Sequence, residues 1–236
     1  MIYVTSDLHG CNPADFKKLL AQVGFGDEDY LYILGDVIDR GTWGAQLLFW
    51  LTQQTNIQLI LGNHEALMLT CSFIFDQVAE DAALDLSDHQ LALLQSWSEN
   101  GGDPTLKGLH ALLKYDPECA YGIMDYLRDA PLYETLRVNG QSFILVHSGL
   151  DNFQSDRSLE DYKPEELLFC RPSPDTRYYT NARVIFGHTP SIQYGEEYAG
   201  RAFHTESWSC IDVGVALGHS PMLLCLDTME EFYLEQ

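Results

Sequence analysis

Two rhythms of apolar and polar positions alternate along the first 75 residues of the chain. Met1 to Thr5 is a short apolar, β-branched run, the pattern of a buried strand. From Asn12 the period lengthens. Phe16, Leu19, Leu20 and Val23 fall at i, i+3, i+4 and i+7 and make one apolar helix face. Asn12 can cap that helix, Pro13 suits its first position, Asp15 its first turn and Gly24 its end. Tyr30 to Leu34 reads as a second strand, and Leu47, Leu48 and Leu51 mark a second helix. Ile57 to Leu61 reads as a third strand and Glu65 to Phe75 as a third helix. The order β-α-β-α-β-α predicts an α/β fold with parallel strands and right-handed crossovers.

The strand rhythm then stops. Ser87-Asp88-His89-Gln90 has capping-box form, and Leu91, Leu94 and Trp97 continue a helix as far as Asn100-Gly101-Gly102. Another helical stretch covers Pro117 to Arg128, so residues 65–130 read as a helical excursion after the third strand. Strands return at Leu132 to Val138 and Phe143 to Val146, across the turn signal Asn139-Gly140. Ala182 to Phe186, Ser209 to Asp212, Met222 to Leu226 and Glu231 to Leu234 complete the predicted strands. Residues 151–181 are polar, carry Pro164, Pro172 and Pro174, and read as a long loop. No repeat, low-complexity tract or sharp boundary divides the chain, so residues 1–236 are expected to form a single domain.

Composition narrows the partners. The chain has 35 Asp+Glu against 13 Lys+Arg, a net charge of -22. That balance argues against a nucleic-acid backbone and against an anionic membrane as partner. It favours solubility, and it leaves carboxylates to spare for holding cations. The acidic stretches Asp27 to Asp29 and Glu80 to Asp88 read as solvated faces and helix ends. The six cysteines, at 11, 71, 119, 170, 210 and 225, form no CxxC pair and read as reduced thiols. The first residues show no basic segment followed by an apolar run, and no apolar run reaches the ~20 residues of a membrane span. A cytoplasmic location is the expectation.

The chemistry concentrates in five short segments, each just after a predicted strand. They are Asp7-Leu8-His9-Gly10, Gly35-Asp36-Val37-Ile38-Asp39-Arg40-Gly41, Gly62-Asn63-His64-Glu65, His147-Ser148-Gly149 and Gly187-His188-Thr189-Pro190. In a parallel sheet the carboxyl ends of strands share one edge, where residues remote in sequence converge. Asp7 and His9 can reach one cation, Asp36 can bridge two, and Asn63, His147 and His188 add neutral oxygen and nitrogen donors. Mixed carboxylate and imidazole donors suit Mn, with Fe or Zn as alternatives, better than Mg or Ca. Two cations ~3.5–4 Å apart would clamp a phosphoryl group and acidify a water. His64 then stands as the acid for the leaving oxygen, Asp39 as its orienting partner and Arg40 as a grip on a phosphate oxygen.

These segments, in this order, resemble the signature of the phosphoprotein phosphatase family within the calcineurin-like metallophosphoesterases, and most of all its small bacterial and bacteriophage lambda-type serine/threonine phosphatases. The likeness runs from about residue 1 to residue 226 and includes Trp97-x-x-Asn100-Gly101-Gly102 and Ile211-Asp212-x-Gly214. It implies a β-sandwich flanked by helices. It also implies one metal on Asp7, His9 and Asp36, and a second on Asp36, Asn63, His147 and His188. His64 with Asp39 would be the acid dyad, with hydroxide held on the metals attacking phosphorus. Arg40 and Arg171 would bind phosphate, Arg171 on no more than its place in the loop before Phe186-Gly187-His188. Ser6 and Ser148 stand where the family usually has smaller residues, with little effect expected on the metals.

The resemblance implies a phosphatase acting on phosphoserine or phosphothreonine in proteins, with side activity on phosphotyrosine and aryl phosphates. A sister group hydrolyses dinucleoside polyphosphates such as diadenosine tetraphosphate. That group tends to carry Ala where this chain has Asp39 and Asp where it has Glu65, so both positions speak against it. A non-catalytic phosphate-binding module is a third reading, disfavoured because every expected ligand and the dyad are present. The other histidines are read without a role: His89 at a helix start, His110 on a helix, His204 and His219 in loops. Trp43, Trp50, Trp97 and Trp208 are read as packing, and Cys11 as a buried thiol.

Overall fold

The computed structural model describes residues 1–78 and 86–234. The predicted alternation at the start of the chain is present as β1 (Ile2–Thr5), α1 (Pro13–Gln22), β2 (Tyr30–Ile33), α2 (Gly44–Leu51) and β3 (Ile57–Leu59). Asn12 caps α1, accepting from the Ala14 N–H, with Pro13 in the first turn. The three strands are parallel, with Val4 opposite Tyr32 and Ile33 opposite Leu59. The expected third helix is two, α3 (Asn63–Thr70) and α4 (Phe73–Val78), with the chain turning at Cys71 and Ser72. Among the described residues the excursion continues with α5 (Asp88–Glu99), α6 (Asp103–Tyr115) and α7 (Pro117–Arg128). Helix α6 has no counterpart in the sequence reading, which took Gly101-Gly102 as an end. Glu80 to Asp85, most of the second acidic stretch, lie outside the described residues.

The remaining strands are β4 (Tyr133–Val138), β5 (Gln141–Val146), β6 (Ala182–Phe186), β7 (Phe203–His204), β8 (Trp208–Cys210), β9 (Met222–Cys225) and β10 (Glu231–Tyr233). They do not extend one sheet. Two five-stranded sheets form, in the orders β10-β9-β1-β2-β3 and β4-β5-β6-β8-β7. The first keeps its parallel strands β1, β2 and β3 along one side and adds antiparallel β9 and β10 on the other, and the second has parallel β5, β6 and β8 at its centre with antiparallel β4 and β7 at its edges. The period-two pattern of side chains explains the layers. Val4, Leu34 and Ile60 of the first sheet meet Phe143, Leu145 and Ile185 of the second in one buried cluster. Their neighbours face outward: Tyr3, Leu31 and Ile33 against the helices, Ile144, Val146 and Val184 against the 151–181 segment. The result is the β-sandwich with helices that the resemblance implied.

Residues 151–181 are not wholly loop, because α8 (Pro164–Leu168) buries Leu167 and Leu168. His204 is in β7 rather than a loop, its ring held between Ser209 Oγ and Glu231 Oε1, both at 2.7 Å. The six cysteines are free, and burial pushes the Cys11 thiol up to about 12. Among the described residues no helix is long and apolar enough to cross a membrane.

Candidate metal centre

The parallel strands of both sheets end on one edge, and the five segments meet there. Asp7 and His9 follow β1, Asp36, Asp39 and Arg40 follow β2, and Asn63 and His64 open α3 after β3. His147 and His188 arrive from the other sheet, after β5 and β6. The chain turns sharply to aim these side chains. Asp7, His9, Asp36, Asp39, Arg40 and His188 all have left-handed backbones, with φ between 41° and 67°. Such conformations cost energy in non-glycine residues and persist where the surroundings over-determine them. Gly187 serves close approach instead: a Cβ there would overlap the Asp7 carboxylate, whose Oδ2 accepts the His188 N–H at 2.9 Å.

The donor atoms converge on two points that share Asp36. Its Oδ2 lies 3.8 Å from His9 Nε2 and 3.8 Å from His64 Nε2, while its Oδ1 lies 3.5 Å from His147 Nε2. His9, Asp36 and His64 form one group able to hold a metal ion, and Asp36, His147 and His188 form another. His64, expected to stand beside the metals, thus has Nε2 among the donors of the first group. Asp7 Oδ1 faces His9 Nε2 at 3.9 Å. Asn63 Oδ1 lies 2.8 Å from His147 Nε2.

Hydrogen bonding fixes what these atoms offer. His9 donates Nδ1–H to the Ile38 carbonyl at 3.1 Å, and His147 donates Nδ1–H to the Leu34 carbonyl at 2.7 Å. Each neutral ring therefore turns a lone pair on Nε2 toward the site. The His147 lone pair meets oxygens of Asn63 and Asp36, which have no hydrogen to offer. Asp7 Oδ1 is buried with no hydrogen-bond partner. Opposed lone pairs and an orphaned buried carboxylate oxygen are what a donor set for cations looks like, so the residues fit divalent metals.

The electrostatics agree. Burial keeps the imidazoles of His9 and His188 neutral, at about 3 and about 2, and lowers His147 as well. Burial works to raise Asp36, but the imidazoles of His147, His64 and His9 outweigh it and hold the group below the usual carboxylate range. Asp7 is raised by burial and then by Asp212 and Asp36, and Asp212 is raised by burial to about 7. Several carboxylates packed out of water in this way need cations to balance them. His64 differs from the other histidines. Burial lowers it, but the hydrogen bond from Nδ1 to Asp39 Oδ2 at 2.7 Å and the charges of Asp36 and Asp39 win, and it rises above 6.5.

Two arginines flank the centre. Arg40 places Nη1 2.9 Å from His9 Nε2 and Nη2 3.1 Å from His64 Nε2. Arg171 lies exposed at the rim and reaches the His188 carbonyl and Thr189 Oγ1 at 3.2 and 3.4 Å. Beside it Phe169, 56% exposed, turns an edge contact to the His188 ring, 6.3 Å between centroids.

Three further residues act on the site through others, and periodicity gave no sign of them. Glu65, wholly buried, accepts from the N–H groups of Asp36 and Val37 at 2.8 Å, Gly62 at 3.1 Å and Ile38 at 3.3 Å. It staples the loop carrying Asp36 to the one carrying Asn63. Ser148 Oγ donates to the Leu167 carbonyl and accepts the Cys170 N–H, fastening the segment that carries Phe169 and Arg171. Trp97, read as packing, donates its indole N–H to Asp39 Oδ2 at 2.9 Å. The signal for Trp97 was its place in the Trp-x-x-Asn-Gly-Gly motif, and for Glu65 its place beside Asn63-His64.

The chain resembles known proteins in sequence and in fold. A symmetrical bis(5'-nucleosyl)-tetraphosphatase from Acidovorax sp. (strain JS42) is 28% identical over 151 residues, which cover 63% of this chain and 44% of that protein. The chain thus spans less than half the length of this curated relative. The protein of the same name from Buchnera aphidicola subsp. Schizaphis graminum is 41% identical over 66 residues, 27% of this chain and 24% of that one. Two solved structures share the fold. One, named as a candidate diadenosine tetraphosphatase, superposes with a TM-score of 0.61 at 17% identity, over 98% of this chain and 91% of that one. The other, a protein serine/threonine phosphatase from Saccharomyces cerevisiae, gives 0.60 at 15% identity, over 100% and 80%. The family model of the calcineurin-like phosphoesterases matches residues 1–223, so the chain belongs to that family.

Proposed function

We propose that the chain is a dinuclear metal-dependent phosphomonoesterase, and that its preferred substrates are proteins phosphorylated on serine or threonine. Phosphotyrosine and aryl phosphates would be turned over as side activities. The observation that carries this reading is the 2.7 Å contact between His64 Nδ1 and Asp39 Oδ2, deep in the site. A serine or threonine alkoxide is a poor leaving group and needs a proton as it departs. A nucleoside diphosphate leaves as a stable anion and does not. An imidazole whose hold on a proton is strengthened by a buried carboxylate suits the first reaction and is superfluous for the second.

In this reading Asp7, His9 and Asp36 hold one cation, and Asp36, Asn63, His147 and His188 hold the other. The donors' mixed chemistry favours Mn, with Fe or Zn next. Bound there, the cations supply positive charge for the phosphoryl oxygens and lower the pKa of water. Asp36, with one oxygen toward each donor group, is the bridge. Arg40, and more weakly Arg171 at the rim, bind the non-bridging phosphate oxygens through their guanidinium forks. His64 gives a proton from Nε2 to the leaving oxygen, while Asp39 keeps the ring turned and strengthens its hold on that proton until the oxygen departs.

The second reading is hydrolysis of dinucleoside tetraphosphates, favoured by the names of the curated relatives. Specificity constants with Mn for a phosphoserine peptide, 4-nitrophenyl phosphate and diadenosine tetraphosphate separate the two. The peptide is expected to lead. A constant for diadenosine tetraphosphate well above the peptide's would reverse the order of the readings.

A further inference from the structure

Asp39 and Arg40 both stand on left-handed backbone, at φ 67° each. What holds them there comes from one place, the junction of α5 and α6. Thr105 Oγ1 accepts the Asp39 N–H at 2.9 Å, and the Gly101 carbonyl accepts the Arg40 N–H at 2.8 Å. Trp97, 1% exposed, completes the set by donating Nε1–H to Asp39 Oδ2. That oxygen is the one His64 uses. The other, Oδ1, is buried with no hydrogen-bond partner. Gly102 lies flat against the indole, where a Cβ would overlap Trp97 Cδ1.

We infer that Trp97 is a positioning residue for the acid dyad: its indole N–H fixes the plane of the Asp39 carboxylate, and through it the direction of the His64 ring. The indole nitrogen is a donor and never an acceptor, so it can serve only to hold the carboxylate. Without it one hydrogen bond, from His64 itself, would have to set both the carboxylate's rotation and the imidazole's. A ring misaimed by ~1 Å loses much of the advantage of proximity. The helical excursion therefore does more than shield the first sheet. Its Trp-x-x-Asn-Gly-Gly turn locks the acid and Arg40 together, with Trp97 58 positions from Asp39 in the chain. This rests on His64 and Asp39 acting as the acid.

The test uses the Mn-loaded protein and two substrates, a phosphoserine peptide and 4-nitrophenyl phosphate, whose leaving group departs without help. Trp97→Phe keeps the bulk and removes the N–H. It should lower kcat on the peptide about tenfold, as for loss of one hydrogen bond to a charged group, and on the nitrophenyl ester about twofold at most. KM and bound metal should stay as in the parent. Gly102→Ala, which displaces the ring but keeps the indole, should show a weaker form of the same split. Leu109→Ala, a buried position in the same helical layer, should lower Tm and leave the ratio of the two substrates alone.

A readout free of turnover is the Trp97 indole N–H resonance. It should exchange slowly and move in Asp39→Asn. Equal losses on both substrates in Trp97→Phe, loss of metal, the same split in Leu109→Ala, or a resonance indifferent to Asp39→Asn would each overturn the role of Trp97. Asp39→Asn is also the reference for the dyad. If it shows no dependence on the leaving group, the acid reading itself falls and the inference with it. If it does and Trp97→Phe does not, the dyad stands and Trp97 is packing.

Discussion

Asp36 and His147 come within 3.5 Å of each other, yet the two sheets hold their halves of the site in different ways. On the first sheet Asp7, His9, Asp36, Asp39 and Arg40 are all on left-handed backbone. Asp36, Asp39 and Arg40 are tied down by Glu65, by Thr105 and by the α5–α6 turn, and Asp7 and His9 by the Gly35 and Asp36 carbonyls. On the second sheet His147 has ordinary backbone, and the Leu34 carbonyl of the first sheet orients its ring. His188 is strained, but its N–H is keyed to Asp7. The anionic donors repel one another and must be forced together, so their half is over-determined. The neutral imidazoles of the second sheet need a direction, and they borrow it from the half already fixed.

The sharpest way to break this comparison is to remove the shared carboxylate. Asp36→Asn should lose both metals and lower kcat/KM by roughly 10³-fold or more, since metal catalysis supplies several kcal/mol. His147→Asn should lose the second metal and keep the first. Metal analysis of the purified variants checks both; two tightly bound equivalents in Asp36→Asn would remove it as the bridge.

His64→Asn comes next, with a loss in kcat of ~10²–10⁴ on phosphoserine peptides and much less on nitrophenyl phosphate. The pH profile should agree in sign. His64 is raised above 6.5, and in the proposed mechanism its protonated form is the acid. Peptide kcat should therefore hold through pH 6.5 and fall as pH rises past the raised value, whereas the nitrophenyl profile should lack that limb. Loss of metal in His64→Asn would instead make His64 a ligand of the first group.

Glu65→Asp probes the tie alone. The shorter side chain cannot span the four N–H groups, so Mn affinity should drop about 10–100-fold, with kcat largely restored at saturating Mn. Unchanged affinity would show that the first-sheet half needs no staple. The smallest effect belongs to the exposed rim: Arg171→Ala should raise KM by less than about fivefold, the scale of an exposed charge interaction. A loss as large as that for Arg40→Ala would place Arg171 at the reacting phosphate.

Much of this was legible in the sequence because it is local. Phe16, Leu19 and Leu20 announce α1 through their own spacing, and Asn12 and Pro13 its start. The strand-end segments could be read because metal donors are few in kind and each follows an apolar run. Their contribution to catalysis is for the variants to decide. Helix α6 is masked by Gly101-Gly102, which signal an end, although Pro104 in its first turn is a start signal. The 151–181 segment hid α8 behind its prolines in the same way.

Sequence by itself determined which side chains stand at the ends of which strands, and that the first three strands run parallel. Tertiary structure alone decided that His147 and His188 approach from a second sheet. It alone decided that Glu65 would gather four backbone N–H groups, and that Trp97, packed in the core, would turn its N–H to Asp39. Periodicity records which face of an element avoids water; it carries no information about what covers that face. A buried polar atom finds its partner wherever packing brings one within hydrogen-bond reach, and for Asp39 that partner lay 58 residues along the chain.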